Sequence, residues 1–303
     1  MGSSFPESLP HMTPEPDQQP RADPVPAPSQ ARGEIQAWAS PAFSQALGAG
    51  GLESGLSQLF GLQPESWLRR VPGRETFAWP GREAWIVKRT VGGESKDYWY
   101  ERLRGEARSP ARRELENLVA LATQGFPVPT GLAWFGEPRA AGHPRRGGRS
   151  AMVMGRVEHR GSLREVLARA EAGEAAELLR QLSSLVIELH RAGWIHRDLY
   201  LQHFVVGEHG LVILDVGRAR QRPAPRERWF VKDLAALHFS APAGLGRCAR
   251  LRFLRRWLEA RGSTSRAERR RWVKRITRRG RRMAGHRPKH LDAGDPVDAE
   301  LFP

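Results

Sequence analysis

Gly-Trp-Ile-His-Arg-Asp-Leu-Tyr-Leu-Gln-His-Phe-Val-Val-Gly-Glu-His-Gly-Leu-Val-Ile-Leu-Asp-Val-Gly, residues 193 to 217, decides how the rest of the chain is read. It sets His196-Arg197-Asp198 after an apolar-periodic helix and places Asp215-Val216-Gly217 seventeen residues beyond Asp198. Between them Val205, Val206 and Leu211 to Leu214 read as two short strands around a turn from Gly207 to Gly210. Both aspartates then sit at strand ends and face one pocket. Phosphoryl transfer needs two such carboxylates, one to orient an attacking hydroxyl and one to hold Mg2+ on a nucleotide. A lone His-Arg-Asp is weak evidence, because a capped surface turn gives the same triplet. The second aspartate, at this distance and across a hairpin, makes the stretch a kinase-type catalytic loop followed by its metal loop.

Working outward, Glu174 to Arg191 carries Leu178, Leu182, Leu185, Val186 and Leu189 on one face and predicts the buried helix that presents the loop. Its His190 reads as a helix-end histidine and not a catalytic one. Ser162 and Glu165 form a capping box for a preceding helix through about Ala172. On the other side, Arg228 to Ser240 predicts a helix with Asp233 near its start; in kinase-like folds such an Asp accepts hydrogen bonds from the catalytic-loop backbone. Asp215 and Asp233 are eighteen residues apart, too close for the long activation segment of a protein kinase, which favours a small or sugar acceptor.

Nearer the N-terminus, Ser66 to Val71, Glu75 to Trp79 and Ala84 to Lys88 predict three strands with turns at Pro72-Gly73 and Pro80-Gly81. A strand-end lysine is by itself most often solvated, but with the loop downstream Lys88 is placed to reach nucleotide phosphates. Gly73, Arg74 and Thr76 lie where a phosphate-covering loop belongs, through backbone amides and the Thr76 hydroxyl; a plain hairpin turn fits the single glycine equally well. Pro110 to Gln124 predicts a helix stopped by Gly125. Glu114 and Glu116 compete to pair with Lys88, and Glu114 is favoured because it precedes Leu118 and Leu121 by four and seven residues. Ala151 to Met154 reads as a strand ending at a hinge, where backbone groups from Met154 to Arg156 would meet an adenine edge. Glu34 to Phe60 is expected to form one or two short helices over the small lobe, and residues 1–33, with eight prolines, a disordered leader.

The segments 196 to 204, 215 to 219 and 228 to 240 resemble the bacterial lipopolysaccharide kinases, nearest to the heptose kinases of the inner core, and the likeness extends more weakly from about Arg69 to Trp257. The resemblance implies an α+β, two-lobed protein-kinase-like fold, with a small antiparallel-sheet lobe and a mainly helical large lobe. It implies ATP and Mg2+ and a heptose hydroxyl as acceptor, with Asp198 as the base, Arg197 steadying the loop, Asp215 on the metal, and Lys88 on the phosphates. His203 stands where most protein kinases have Asn. Mg2+ prefers oxygen ligands, so His203 is read either as a second metal ligand or as a group that binds phosphate or organises the loop. Gly217 departs from the His often found there in that family.

The expected layout is therefore an N-lobe over 34–155, a C-lobe core over 156–246, a basic helical part over 247–290 and a tail over 291–303. Net charge is +16, and the 18 Lys and Arg between Arg247 and Lys289, against Glu259 and Glu268 alone, account for all of it. Leu251, Leu254 and Leu258, then Trp272, Ile276 and Met283, give this segment apolar stripes. They either pack on the large lobe or, with the arginines, meet an anionic membrane surface. Nucleic acid would be attracted by the same charges, but no base-reading motif is present. The one cysteine, Cys248, excludes an internal disulfide and is expected to be a buried inert thiol. No run approaches the roughly 18 apolar residues of a membrane span; a cytoplasmic protein, at most peripheral at the inner membrane, is expected. A kinase of proteins or of another small molecule shares all these nucleotide residues, and a non-catalytic kinase-like scaffold is the alternative from a different class.

Overall fold

The computed structural model describes residues 35–47, 51–92, 108–137, 148–263 and 265–284. The leader over 1–33 and the tail over 291–303 lie outside them. Six antiparallel strands form the small lobe: β1 Gln36–Ala39, β2 Arg69–Val71, β3 Arg74–Trp79, β4 Arg82–Val91, β5 Gly131–Gly136 and β6 Arg149–Gly155. Their order across the sheet is β1-β5-β6-β4-β3-β2.

Strand alternation divides the sheet into two faces. On one, Phe77, Val87, Phe135, Ala151 and Val153 are covered by Phe43 of α1 (Pro41–Leu47) and by Leu56 and Leu59 of α2 (Gly51–Gly61). A Cβ on Gly55 would stand 2.3 Å from the Phe135 ring, so only glycine lets α2 lie this close. On the other face, Ile86, Met152 and Met154 meet Leu115, Leu118 and Leu121 of α3 (Pro110–Thr123), which Ser109 caps by accepting the Arg112 amide at 3.1 Å. Lys88 follows Ile86 by two residues and so falls on the α3 side.

The chain from Glu34 to Phe60 departs from expectation, because its first element is a strand. Gln36 pairs with Gly136, and Ala39 with Ala133. Ala and Gln are good helix formers, but propensity is a weak preference that tertiary context overrides, and the open edge of β5 offers the backbone partners that do so.

The large lobe is mainly helical: α4 Leu163–Arg169, α5 Ala172–Arg191, α6 Glu227–Ser240, α7 Arg247–Glu259 and α8 Arg266–Ala284. The Ser162–Glu165 capping box is present, and α5 buries its leucine stripe. Strands β7 (Trp194–Ile195) and β10 (Arg220–Gln221) pair with each other, as do β8 (Phe204–Gly207) and β9 (Gly210–Ile213). The apolar stripes of the basic segment pack on this lobe: Leu254, Leu258, Trp272 and Ile276 are buried, and Trp257 and Trp272 meet edge to face at 4.9 Å. Leu251 alone stays exposed, at 41%. Cys248 is also exposed, against expectation. Six residues before Leu254, it points some 120° away from the buried stripe of α7.

Candidate active site

The catalytic loop hangs from a buried carboxylate. Asp233, fully enclosed in α6, accepts the His196 amide at 2.8 Å and the Arg197 amide at 2.7 Å, with His190 Nε2 at 3.4 Å. Burying a charge is costly unless such donors satisfy it. His190 Nδ1 accepts the Trp257 indole N–H at 2.9 Å, so its proton sits on Nε2 and points at Asp233. A helix-end histidine is thus a structural post joining α5, α6 and α7. Arg197 adopts φ 72°, a left-handed backbone uncommon outside glycine. Its guanidinium lies 5.2 Å from the Trp229 ring centre. The His196 ring is buried, and burial pushes its pKa down; Asp233 opposes this.

Asp198 emerges beyond this anchor. Arg218 Nη1 donates to both of its carboxylate oxygens, at 3.0 and 2.8 Å, and Lys232 Nζ lies 3.5 Å from Oδ1. The backbone carbonyl of Asp198 accepts from His203 Nδ1 at 2.8 Å. A carbonyl only accepts, so Nδ1 of His203 carries a proton, and Nε2 faces Asp215 Oδ2 at 3.7 Å. His203 therefore ties the loop together and also flanks the Asp215 carboxylate. Asp215 has φ 53° and a side chain 40% exposed at the cleft floor. Withdrawal from solvent would raise its pKa, but Lys88 foremost, then His203, His196 and Arg69, hold it down at about 2.

The small lobe closes the site from above. Lys88 Nζ pairs with Glu114 of α3, while Glu116 is taken by Arg112 at 2.6 Å and Arg108 at 2.9 Å. Burial opposes the Lys88 charge, yet Glu114 and Asp215 together push its pKa up. One turn on, Asn117 Nδ2 donates to the carbonyls of Val216 at 2.8 Å and Ala219 at 3.1 Å, so one helix face positions both the lysine and the metal loop. Gly217 completes the fit: an added Cβ would stand 3.2 Å from Glu114 Oε2.

Gly73 turns between β2 and β3 at φ +74°, with its Cβ position 2.9 Å from the Val91 carbonyl. Thr76 stands opposite Lys88 in the ladder and shares its face, as does Arg74 two residues before. Arg69, opposite Thr76, acts on Asp215 and Lys88, and Arg74 acts on Glu114. At the hinge Met154 is buried, while the amides of Gly155 and Arg156 donate to Thr130 O at 2.8 Å and Ala84 O at 2.7 Å. Those two donors of the expected adenine contact are thus engaged within the small lobe. Arg218, Lys232, Asn117 and Arg69 escaped the sequence reading; Asn117 alone left a signal, a polar residue three positions after Glu114 on an apolar stripe.

The arrangement brings together a partly exposed carboxylate for a proton, a second carboxylate and an imidazole for a cation, and Lys88 with Arg69 for anionic oxygens. A family model described as lipopolysaccharide kinase (Kdo/WaaP) matches residues 74–257, more than half of the chain. Among curated proteins, lipopolysaccharide core heptose(I) kinase WaaP of Pseudomonas aeruginosa is 42% identical over 87 residues, 26% of this chain and 32% of that protein. The Escherichia coli protein of the same description is 33% identical over 72 residues, 21% and 27% of the two chains. The aligned parts thus span about a third or less of these relatives. A solved structure of WaaP in complex with acyl carrier protein shares the fold, with TM-score 0.60 and 24% identity over 82% of this chain and 98% of that one.

Proposed function

The chain belongs to the lipopolysaccharide kinase (Kdo/WaaP) family, and from that premise we propose that it transfers the γ-phosphoryl group of ATP to a hydroxyl of a heptose in the lipopolysaccharide inner core. The observation that carries this reading is the convergence of Asp198, Asp215 and the Lys88–Glu114 pair on one cleft. The short stretch from Asp215 to Asp233 favours a sugar over a peptide acceptor.

In this mechanism Asp198 orients the acceptor hydroxyl and takes its proton as the oxygen bonds to the γ-phosphorus and the bond to the β-phosphate oxygen breaks, releasing ADP. Lys88, held by Glu114, binds phosphate oxygens, with Arg69, Arg74, Gly73 and Thr76 over them. Met154 lies at the hinge, where its backbone would meet the adenine edge. The donors present fit a divalent cation: the Asp215 carboxylate is ionised at any working pH, and a neutral His203 would present its Nε2 beside it. Among the described residues no three His, Cys, Asp or Glu converge, so phosphate oxygens would complete the shell, as Mg2+ sites of this kind require. Bound there, Mg2+ would supply charge neutralisation on the transferring group.

Among the described residues no helix is long and apolar enough to cross a membrane. We place the protein at the cytoplasmic face of the inner membrane, where the exposed arginines of α7 and α8 meet anionic lipid. With the apolar stripes buried against the lobe, that attraction is electrostatic, and flotation with anionic liposomes should fade as salt rises. The direct test is mass spectrometry of a dephosphorylated core oligosaccharide after incubation with the protein and Mg-ATP. A phosphate on heptose is expected; phosphate on protein substrates alone would replace this reading.

A further inference from the structure

Beside the catalytic carboxylate runs a cleft that the chemistry above leaves unused. About 360 Å³ in volume, it lies between the first turns of α6 and the C-terminal half of α8. Six cations line it, Arg228 and Lys232 from α6 and Arg275, Arg278, Arg279 and Arg282 from α8, with Trp229 and Val231 as an apolar wall and no acid among the described lining residues. Lys232 joins it to the reaction centre, 3.5 Å from Asp198 Oδ1. The charge of Arg279 reaches the Tyr200 phenol, as do those of Asp198 and Arg218.

The nearby carboxylates are committed elsewhere. Glu227 is taken by Arg271 and Arg275, and Asp198 by Arg218 and Lys232. Among the described residues no carboxylate lies within ion-pairing distance of Arg278, Arg279 or Arg282, which stand exposed at spacings of one, three and four on α8. Like charges three and four apart on a helix repel, and an anion in the cleft cancels that repulsion. Arg275 to Arg282 covers about 10 Å of helix axis, room for two anionic groups side by side. Guanidinium forks match carboxylate and phosphate oxygens in pairs.

We propose that this cleft is an anion subsite for the acceptor, which holds carboxylate or phosphate groups on the sugars next to the reacting hydroxyl, so that an acidic oligosaccharide and not a neutral one is phosphorylated. The proposal rests on the reading of Asp198 as the base that faces that hydroxyl.

The test uses the full chain saturated with Mg2+ and a non-hydrolysable ATP analogue, so that the nucleotide site is filled. Calorimetry compares a disaccharide with two uronic carboxylates, its dimethyl ester, and a sugar bisphosphate. The parent should bind the acids at least about tenfold more tightly than the ester, with a preference that weakens from about 0.05 to 0.3 M salt. Arg278→Ala with Arg282→Ala should abolish the preference, and Arg278→Lys with Arg282→Lys should retain part of it. Both residues are exposed, so their replacement leaves the packed face of α8 intact. A stronger response to the bisphosphate identifies phosphates as the natural groups, and a stronger response to the uronate identifies carboxylates. Equal binding of acid and ester by the parent, or of acid by parent and double alanine variant, overturns the proposal. In phosphorylation assays the double alanine variant should raise KM for an acidic acceptor about tenfold relative to KM for ATP. If the parent phosphorylates no heptose acceptor but the variant still loses the acids, the heptose reading fails and the anion subsite stands. If the parent phosphorylates heptose and the variant keeps the parental acceptor KM, the subsite fails and the kinase reading stands.

Discussion

Asp215 is held at a pKa of about 2, below its ordinary value of 3.8, by Lys88 and its neighbours against the effect of burial. A depressed carboxylate contributes stability that is full above the ordinary value and is lost as pH falls through the folded value. Asp215→Asn should therefore differ from the parent in stability above about pH 4 and converge with it toward pH 2, as urea melts at several pH values would record. The same substitution should weaken Mg-ATP binding far more than metal-free ATP binding in calorimetry; equal losses would make Asp215 a purely structural residue. Arg218 is the second residue to test. Its two contacts to Asp198 hold the carboxylate in place, so Arg218→Ala should lower kcat about tenfold to a hundredfold with KM for ATP little changed. A faster variant would show the contact to be inhibitory. Lys88, Asp198, Asp215 and Asp233 were legible in the sequence because motif spacing fixes them on adjacent elements. Arg218 and Lys232 were not, because arginines and lysines in a chain this basic are common and only the fold brings these two to one carboxylate.

At the scale of elements, α3 is the coupling rod. Its N-terminal half sets Glu114 against Lys88, and one turn later Asn117 ties down the carbonyls of Val216 and Ala219. Asn117→Leu leaves the Ala219 carbonyl without its donor and the Val216 carbonyl with only the Ala219 amide, and should cost about 1–3 kcal/mol by urea denaturation. It should also raise KM for Mg-ATP, because the metal loop loses its tether. A variant with normal stability and normal KM would remove α3 from the mechanism. The helices, hairpin and capping box were read correctly because periodicity and caps are local signals. β1 was missed because an edge strand of Gln, Ala and Trp is made by its partner β5, and no local preference announces it. The glycine turn at Gly73 was ambiguous in the sequence; the register that sets Thr76 opposite Lys88 is visible only in the folded ladder.

At the scale of the whole molecule, the basic segment is part of the large lobe and no appended tail, as far as Ala284. Trp272 sits against Trp257, which in turn bonds His190 and so reaches Asp233 and the catalytic loop. Trp272→Ala should cost about 3–5 kcal/mol, the usual loss for a buried tryptophan, and lower activity through the loop it supports. Thermal melts that leave the parent and the variant together would contradict this placement. The sequence offered both uses of the stripe, packing or membrane, since amphipathic helices look alike in either setting. Burial of Leu254, Leu258, Trp272 and Ile276 decides for packing and leaves the arginines as the part that faces outward.

In the proposed reaction Asp198 takes a proton from a sugar hydroxyl as phosphate moves onto it. The measurement that tests it most directly is transfer of γ-labelled phosphate from ATP to dephosphorylated core oligosaccharide by the parent and by Asp198→Ala, with nucleotide affinity measured on both. Label on heptose from the parent, a rate lower by a factor of about 10² to 10⁴ in the variant, and similar nucleotide binding are the predicted result. Equal transfer rates, or no label on the sugar from a parent that binds Mg-ATP, would contradict it.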